Sequence, residues 1–268
     1  MPTLLRACVA WTLYLISFAA VSGSQQATKV QFEPEQIRQF AKAVERAAAD
    51  ESAHAFIIAR LGQPQDALPK GIQFTHTAVA VYSSITLADG RKVPGYAIYN
   101  LYQDNDDPDR SSLIMDYPVD FFWGVHQLKA GILVPTPELQ QRLIQAIANG
   151  DNRRVHNPKY SLIANPFNNK YQNCTEHTLN LINAAIYQTT NMKQLKTFAQ
   201  AHFEPTRVKI NRLKLTLGGL FMEGVHSSDQ KGKIVTATFG SLADYLENNG
   251  LVQSAFVMTP ETRTSLVH

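Results

Sequence analysis

Apolar residues recur along this chain in two rhythms, and the rhythm changes near residue 74. Before that point the spacing is helical. Ile37, Phe40 and Val44 fall on one face of Glu35–Arg46, behind Pro34, a residue suited to a first helical turn. A second short helix is expected over Ala53–Leu61, stopped at Gly62. From Phe74 the pattern becomes β-rich. Phe74–Tyr82 and Gly95–Tyr102 read as two strands, and Asp89-Gly90 between them is a hairpin turn signal. A third strand is expected over Ser112–Tyr117, with the acidic stretch Gln103–Arg110 as a surface loop.

Helical spacing then returns. Thr136-Pro137-Glu138 starts a helix whose Leu139, Leu143 and Ile147 share a face, and Gly150 ends it. A polar loop, Asn165–Asn173, leads into a helix expected from Cys174 to about Tyr187. Asn191 caps a further helix to His202, and the remainder mixes short strands with a helix over Ser241–Asn249, stopped by Gly250. The aromatic stretch Asp116–Trp123 reads as core in preference to a substrate groove. Helices flanking a small antiparallel sheet make the fold class α+β.

The first residues add a compartment. One basic residue, Arg6, precedes an apolar run from Ala7 to Ala20, and small and polar residues follow in Val21-Ser22-Gly23. That is the layout of a cleaved secretory signal over residues 1–23, and the run is shorter than the roughly twenty residues a membrane span needs. The expected product is a periplasmic or secreted protein of about 245 residues. It is read as one domain, 24–268, with a helical N-terminal extension, a C-terminal extension from residue 204 and no remaining membrane span. Residues 24–33 read as a disordered N-terminus.

Charge and cysteine count narrow the chemistry. A net charge of +3 is too small to mark a nucleic-acid partner, and Lys209, Arg212 and Lys214 read as a solvated face. Cys8 leaves with the signal, so Cys174 has no partner for a disulfide or a cysteine-based zinc site. A lone cysteine is often only a small buried hydrophobe. Here it opens a helix, where free N–H groups and the helix dipole favour the thiolate and can hold an oxyanion.

A cysteine nucleophile needs a base and a group to orient it. Among the eight histidines, His76 is the polar member of an apolar strand opening, and Asn100 is the polar residue embedded in the next strand. Cys174, His76 and Asn100 are therefore the candidate catalytic residues, with Asn173 and Gln172 as candidate oxyanion donors. Gln103 is a reserve for Asn100, and His226 is a second choice of base. His177 beside Glu176 suggests a metal, but without the paired-histidine spacing of a zinc helix. No metal or cofactor is expected.

Phe74-Thr-His76-Thr-Ala-Val-Ala-Val-Tyr82 resembles the histidine strand of NlpC-type papain-like hydrolases. Tyr96-Ala-Ile-Tyr-Asn100-Leu resembles the following strand, and Tyr171-Gln-Asn-Cys174-Thr-Glu-His-Thr-Leu179 resembles the nucleophile helix of their circularly permuted branch. That branch includes lecithin retinol acyltransferase-like proteins, and its histidine strands precede the cysteine helix, as here. Residues 55–190 also resemble a bacterial family of unknown function. The resemblance implies a papain-like core and thiol-dependent hydrolysis or transfer of an acyl group. Export suggests cell-wall peptide or lipid acyl substrates. The rival reading is a non-catalytic binding module on the same scaffold.

Overall fold

The computed structural model of the protein describes residues 30–209 and 224–266. The expected secretory signal, most of the expected disordered N-terminus, and Arg212 and Lys214 lie outside the described residues. Lys209 is exposed.

The centre is one antiparallel sheet covered by helices on both faces. It contains β1 (Ala55–Leu61), β2 (His76–Thr86), β3 (Lys92–Gln103), β4 (Ser111–Asp116), β5 (Gln127–Pro135), β8 (Val252–Met258) and β9 (Arg263–Ser265), in the order β4-β3-β2-β1-β5-β8-β9. A separate two-stranded ladder joins β6 (Thr206–Arg207) to β7 (Val235–Thr236). The α+β class holds, but seven strands make the sheet larger than the small one expected.

One face carries α1 (Pro34–Asp50) and α2 (Pro118–Phe122). There Ile37, Phe40, Val44, Phe121 and Phe122 pack on Phe56, Ile58, Ala78, Ala80 and Ile98. The other face carries α3 (Pro137–Ala148), α5 (Cys174–Tyr187), α6 (Met192–His202) and α7 (Phe239–Asn248), with α4 (Asp151–Arg154) after α3. Leu143, Leu179, Ile182, Leu195 and Leu242 meet Ile57, Ala59, Val79 and Val81 there. Phe121 and Phe122 are fully buried, so the aromatic stretch is core.

This layering explains the element assigned the wrong type. Ala55–Leu61, expected as part of a helix, is the strand β1, and all seven of its residues are buried. A strand covered on both faces loses its apolar–polar alternation, and a short continuous apolar run then mimics a buried helix. Ile57 and Ile58 are neighbours in sequence yet serve opposite cores. The sequence reading also had no strand at β5, which lies between β1 and β8. Its Gly131 is there for room: a Cβ at that position would come within 2.7 Å of the Phe239 ring and 2.9 Å of Phe74.

The expected β2–β3 hairpin and the expected starts of α5 and α6 hold. The β2–β3 hairpin turns through Asp89-Gly90, where Gly90 takes φ +82° and the Arg91 N–H donates to Asp89 Oδ1 at 3.0 Å. Helix α5 begins at Cys174, and Asn191 caps α6 by accepting from the Gln194 N–H at 3.2 Å. No helix among the described residues is long and apolar enough to cross a membrane.

Candidate active site

Asn173 has extended backbone and caps α5, its Oδ1 accepting from the Glu176 N–H at 2.9 Å. Cys174 is therefore the first helical residue, where backbone N–H groups have no carbonyl a turn earlier to bond. The first turn is stitched to β2. Thr175 Oγ1 donates to Thr77 Oγ1 at 3.2 Å, and Thr178 Oγ1 donates to the Thr77 carbonyl at 3.4 Å. The thiol follows: Cys174 Sγ lies 3.9 Å from the Thr75 carbonyl and receives the Thr77 N–H. Sulfur thus touches the main chain on both sides of His76.

His76 opens β2 and is fully buried. Its side of the strand is that of Ala78 and Ala80, facing α1 and α2, while Thr77 faces α5. Its Nε2 lies 2.9 Å from Asn100 Oδ1, and the Asn100 amide donates to the Ile98 carbonyl at 3.0 Å. That second bond fixes which end of the amide meets the ring. Oδ1 can only accept, so Nε2 carries the proton and the lone pair resides on Nδ1. Nδ1 is buried and has no hydrogen-bond partner among the described residues. Leaving a buried acceptor unpaired costs about 1–3 kcal/mol, so an orphan of this kind calls for an explanation in function.

Burial first and the Arg60 cation second push His76 from 6.5 down to about 3, against the opposing Asn100 bond. Burial pushes the Cys174 thiol up, against the Thr77 N–H and the hydroxyl and N–H of Thr175. The closed site therefore holds a neutral thiol and a neutral imidazole, not an ion pair. Such a thiol needs a base at the moment of attack.

The structure pairs Asn100 with the His76 ring on one side of β2 and brings the Cys174 thiol to the Thr75 and Thr77 main chain from the other. The candidate oxyanion amides are engaged elsewhere. Gln172 accepts from the Asn157 N–H and donates to the Val155 carbonyl, both at 2.9 Å. Asn173 Nδ2 donates to the Leu162 carbonyl and to Thr236 Oγ1, both at 3.0 Å. Gln103 donates to the Pro108 carbonyl, so Asn100 and not this reserve holds the imidazole. His226 pairs with Asp109 at 2.7 Å and stacks on Tyr171. Glu176 pairs with Lys196, and the described residues contain no cluster of three or more His, Cys, Asp or Glu able to hold a metal.

Sequence reasoning passed over the groups that surround the imidazole. Tyr102 lies parallel to it, ring centroids 4.7 Å apart at 8°, and Phe121 covers it at 5.6 Å. Arg60 donates to the Phe121 carbonyl at 2.8 Å. Their faint signals were a polar residue near the end of an apolar run, and an aromatic two positions after Asn100.

A strap closes the thiol from solvent. Residues 159–162 run between the Asp109 and Gln172 main chains, with the Tyr160 N–H donating to Asp109 O and the Gln172 N–H to Lys159 O, both at 2.8 Å. Tyr160 is fully buried beside Leu101 and Cys174. Ser161 Oγ fastens the strap by donating to the His226 carbonyl at 2.9 Å.

His177, expected as a metal alternative, is 3% exposed, and its Nδ1 has no partner among the described residues. Burial first, and His156 second, push it from 6.5 down to about 3. Below 6.5 the unfolded chain takes up a proton that the folded chain refuses, so this term is fully present above 6.5 and is lost as pH falls towards 3. His177→Leu removes the term. Its stability should fall less steeply with acid in that window, by up to about 1.4 kcal/mol per pH unit. Urea midpoints of parent and variant at neutral and acid pH check this, and parallel profiles would count against it.

Fold and cluster define the class: a mixed α+β protein with a seven-stranded antiparallel sheet and a buried Cys–His–Asn set. More particularly, the chain belongs to the family described as an uncharacterized protein conserved in bacteria (DUF2145), matched over residues 47–246. That span contains Cys174, His76 and Asn100. No curated protein and no solved structure matches the chain, and nothing in these comparisons links it to the NlpC-type hydrolases.

Proposed function

We propose that the protein is an exported cysteine-dependent hydrolase or acyltransferase of the permuted papain-like type, acting on an amide or ester through an acyl-enzyme. The observation that carries this reading is the state of His76: Nε2 is held by Asn100, and Nδ1 is left as an unpaired base beside a strand whose main chain touches the Cys174 sulfur. The order of the chain, histidine strand before cysteine helix, supports it.

In this mechanism Sγ attacks the substrate carbonyl carbon while its proton passes to His76 Nδ1. The C–S bond forms, and the carbonyl electrons move onto oxygen, where N–H groups of the first turn of α5 receive them. The tetrahedral intermediate collapses, the C–N or C–O bond breaks, and the leaving group takes the proton from the imidazolium. Water, giving its proton to the same nitrogen, cleaves the thioester; another hydroxyl or amine acceptor would complete a transfer. The step requires the His76 ring or the first turn of α5 to move, because ring and thiol lie on opposite sides of β2. The export signal favours cell-wall peptides or lipid acyl groups as substrates, and a periplasmic or secreted location.

Near-complete burial of both groups, His76 at 0% and Cys174 at 4%, favours a second reading in which the cluster is structural and the protein binds without catalysis. One experiment separates them. The folded protein is incubated with p-nitrophenyl acetate and an acyl thioester, and its intact mass is followed. A hydroxylamine-sensitive acetyl on Cys174, absent from Cys174→Ser, supports the enzyme. A folded chain that stays unmodified while the urea-unfolded chain acetylates readily leaves the binding module.

A further inference from the structure

One hydrogen bond is a poor hold on a histidine ring. Nε2 lies near the Cβ–Cγ axis, so the bond to Asn100 only weakly resists rotation about that axis. Nδ1 lies farther off the axis and swings with the rotation. For Nδ1 to keep one direction, the plane of the ring needs a separate restraint.

Tyr102 supplies it. Its ring is parallel to the imidazole, with centroids 4.7 Å apart and an interplanar angle of 8°. Its hydroxyl is fixed in turn, donating to Asp116 Oδ2 at 2.5 Å from the neighbouring strand β4. Phe121 from α2 closes the opposite flank at 5.6 Å and 43°. Arg60 from β1 lies 5.5 Å from the Tyr102 ring centroid and 5.3 Å from that of Phe121, and its charge acts on both Asp116 and His76. All of these groups are 5% exposed or less. Packing alone would be satisfied by an aliphatic side chain at position 102. A ring laid flat on a histidine, with its far end pinned by a buried carboxylate, does something more specific: it sets an angle.

Resting on the acyl-transfer reading above, we infer that Tyr102, anchored by Asp116, is a positioning residue that fixes the plane of the His76 imidazole so that Nδ1 faces the path of the thiol proton. Neither residue touches the reacting atoms; both act through His76. Among charged and titratable groups, Arg60 on β1 acts on the ring and Tyr102 on β3 stacks on it, while Asp116 on β4 and Cys174 on α5 act on Tyr102.

The test uses the full chain and reads two signals. Nitrogen-15 histidine spectra report the tautomer and environment of the His76 ring. The rate of Cys174 acetylation by p-nitrophenyl acetate, followed against pH, reports its service as a base. Tyr102→Leu removes the stack and should slow acetylation on the order of 10- to 100-fold, the scale expected when a reacting group loses its orientation. It should also turn the single Nε2–H tautomer into a mixture and displace the pH profile. Tyr102→Phe keeps the stack and frees its far end, with a smaller, few-fold loss and partly shifted ring signals. Asp116→Asn, which still accepts from the hydroxyl, should restore most of the parent behaviour. If Tyr102→Leu does not fold, Tyr102→Phe carries the comparison. A purely structural tyrosine would lower the melting temperature and leave ring signals and pH profile as in the parent, which overturns the inference. Ring signals that respond to Tyr102 in a protein whose Cys174 never accepts an acetyl would instead uphold the positioning and remove the acyl-transfer reading.

Discussion

Alanine at position 76 is expected to slow acyl transfer to Cys174 by about 10²- to 10⁴-fold, the range over which a positioned proton acceptor usually contributes. The size follows from the state of the thiol. Burial holds the Cys174 proton on sulfur, and the opposing N–H groups of Thr77 and Thr175 do not reverse that. Few thiolates are therefore present at neutral pH, and under the proposed mechanism the parent escapes this limit by moving the proton to His76 as the C–S bond forms. His76→Ala has no such route. Its residual rate should climb about tenfold per pH unit, because hydroxide must then make the thiolate. The parent should respond less steeply. Asn100→Ala should cost less than His76→Ala, since the ring remains but its lone pair is free to appear on either nitrogen. Release of p-nitrophenolate under single-turnover conditions measures all three. Full speed in His76→Ala would mean that the orphaned Nδ1 is an accident of packing.

What could be read from the sequence, and what could not, divides along a physical line. His76 and Asn100 stood out because each is a polar residue in a strand that is otherwise apolar, and such a residue must find a partner when buried. They found each other. Cys174 stood out because capping is local: Asn173 and the run after it announce a helix start within four residues. The residues that shape the imidazole did not stand out. Tyr102 looks like any strand aromatic until Asp116 is brought beside it by the β3–β4 pairing. Arg60 was hidden inside β1, a segment whose two-sided burial erased the strand period and suggested a helix. The polar amides of Gln172 and Asn173 illustrate the converse. Their proximity to Cys174 in sequence made them natural oxyanion donors, yet each is spent on a carbonyl of the surrounding loops. Sequence reveals which polar groups need partners; only the fold decides who the partners are.

Lys196→Met should destabilise the protein by about 3–5 kcal/mol at alkaline pH, the cost of stranding one member of a buried ion pair. Lys196 on α6 donates to Glu176 Oε1 at 2.5 Å and to Asn180 Oδ1 at 3.1 Å, and its side chain and that of Glu176 are 7% and 0% exposed. Glu176 lies in the first turn of α5, two residues after the thiol, so the pair pins the turn that presents Cys174. Burial pushes this carboxyl from 4.5 up to about 7 even with the Lys196 ammonium opposing it. A raised folded value means the folded chain keeps a proton that the unfolded chain releases between 4.5 and 7. Stability from this group is therefore full below 4.5 and is lost as pH rises through 7. Without Lys196 the folded value climbs further, so the loss continues to higher pH and the deficit against the parent widens there. In acid, where Glu176 is neutral in both proteins, the deficit should shrink to a packing difference. Glu176→Gln in the Lys196→Met background removes the charge and should recover most of the loss, which a double-mutant cycle in urea will quantify. A deficit that is flat with pH, or one that the second substitution leaves untouched, would show that the two charges contribute little to holding α5. The thiol would then owe its place to Asn173 and the Thr77 contacts alone.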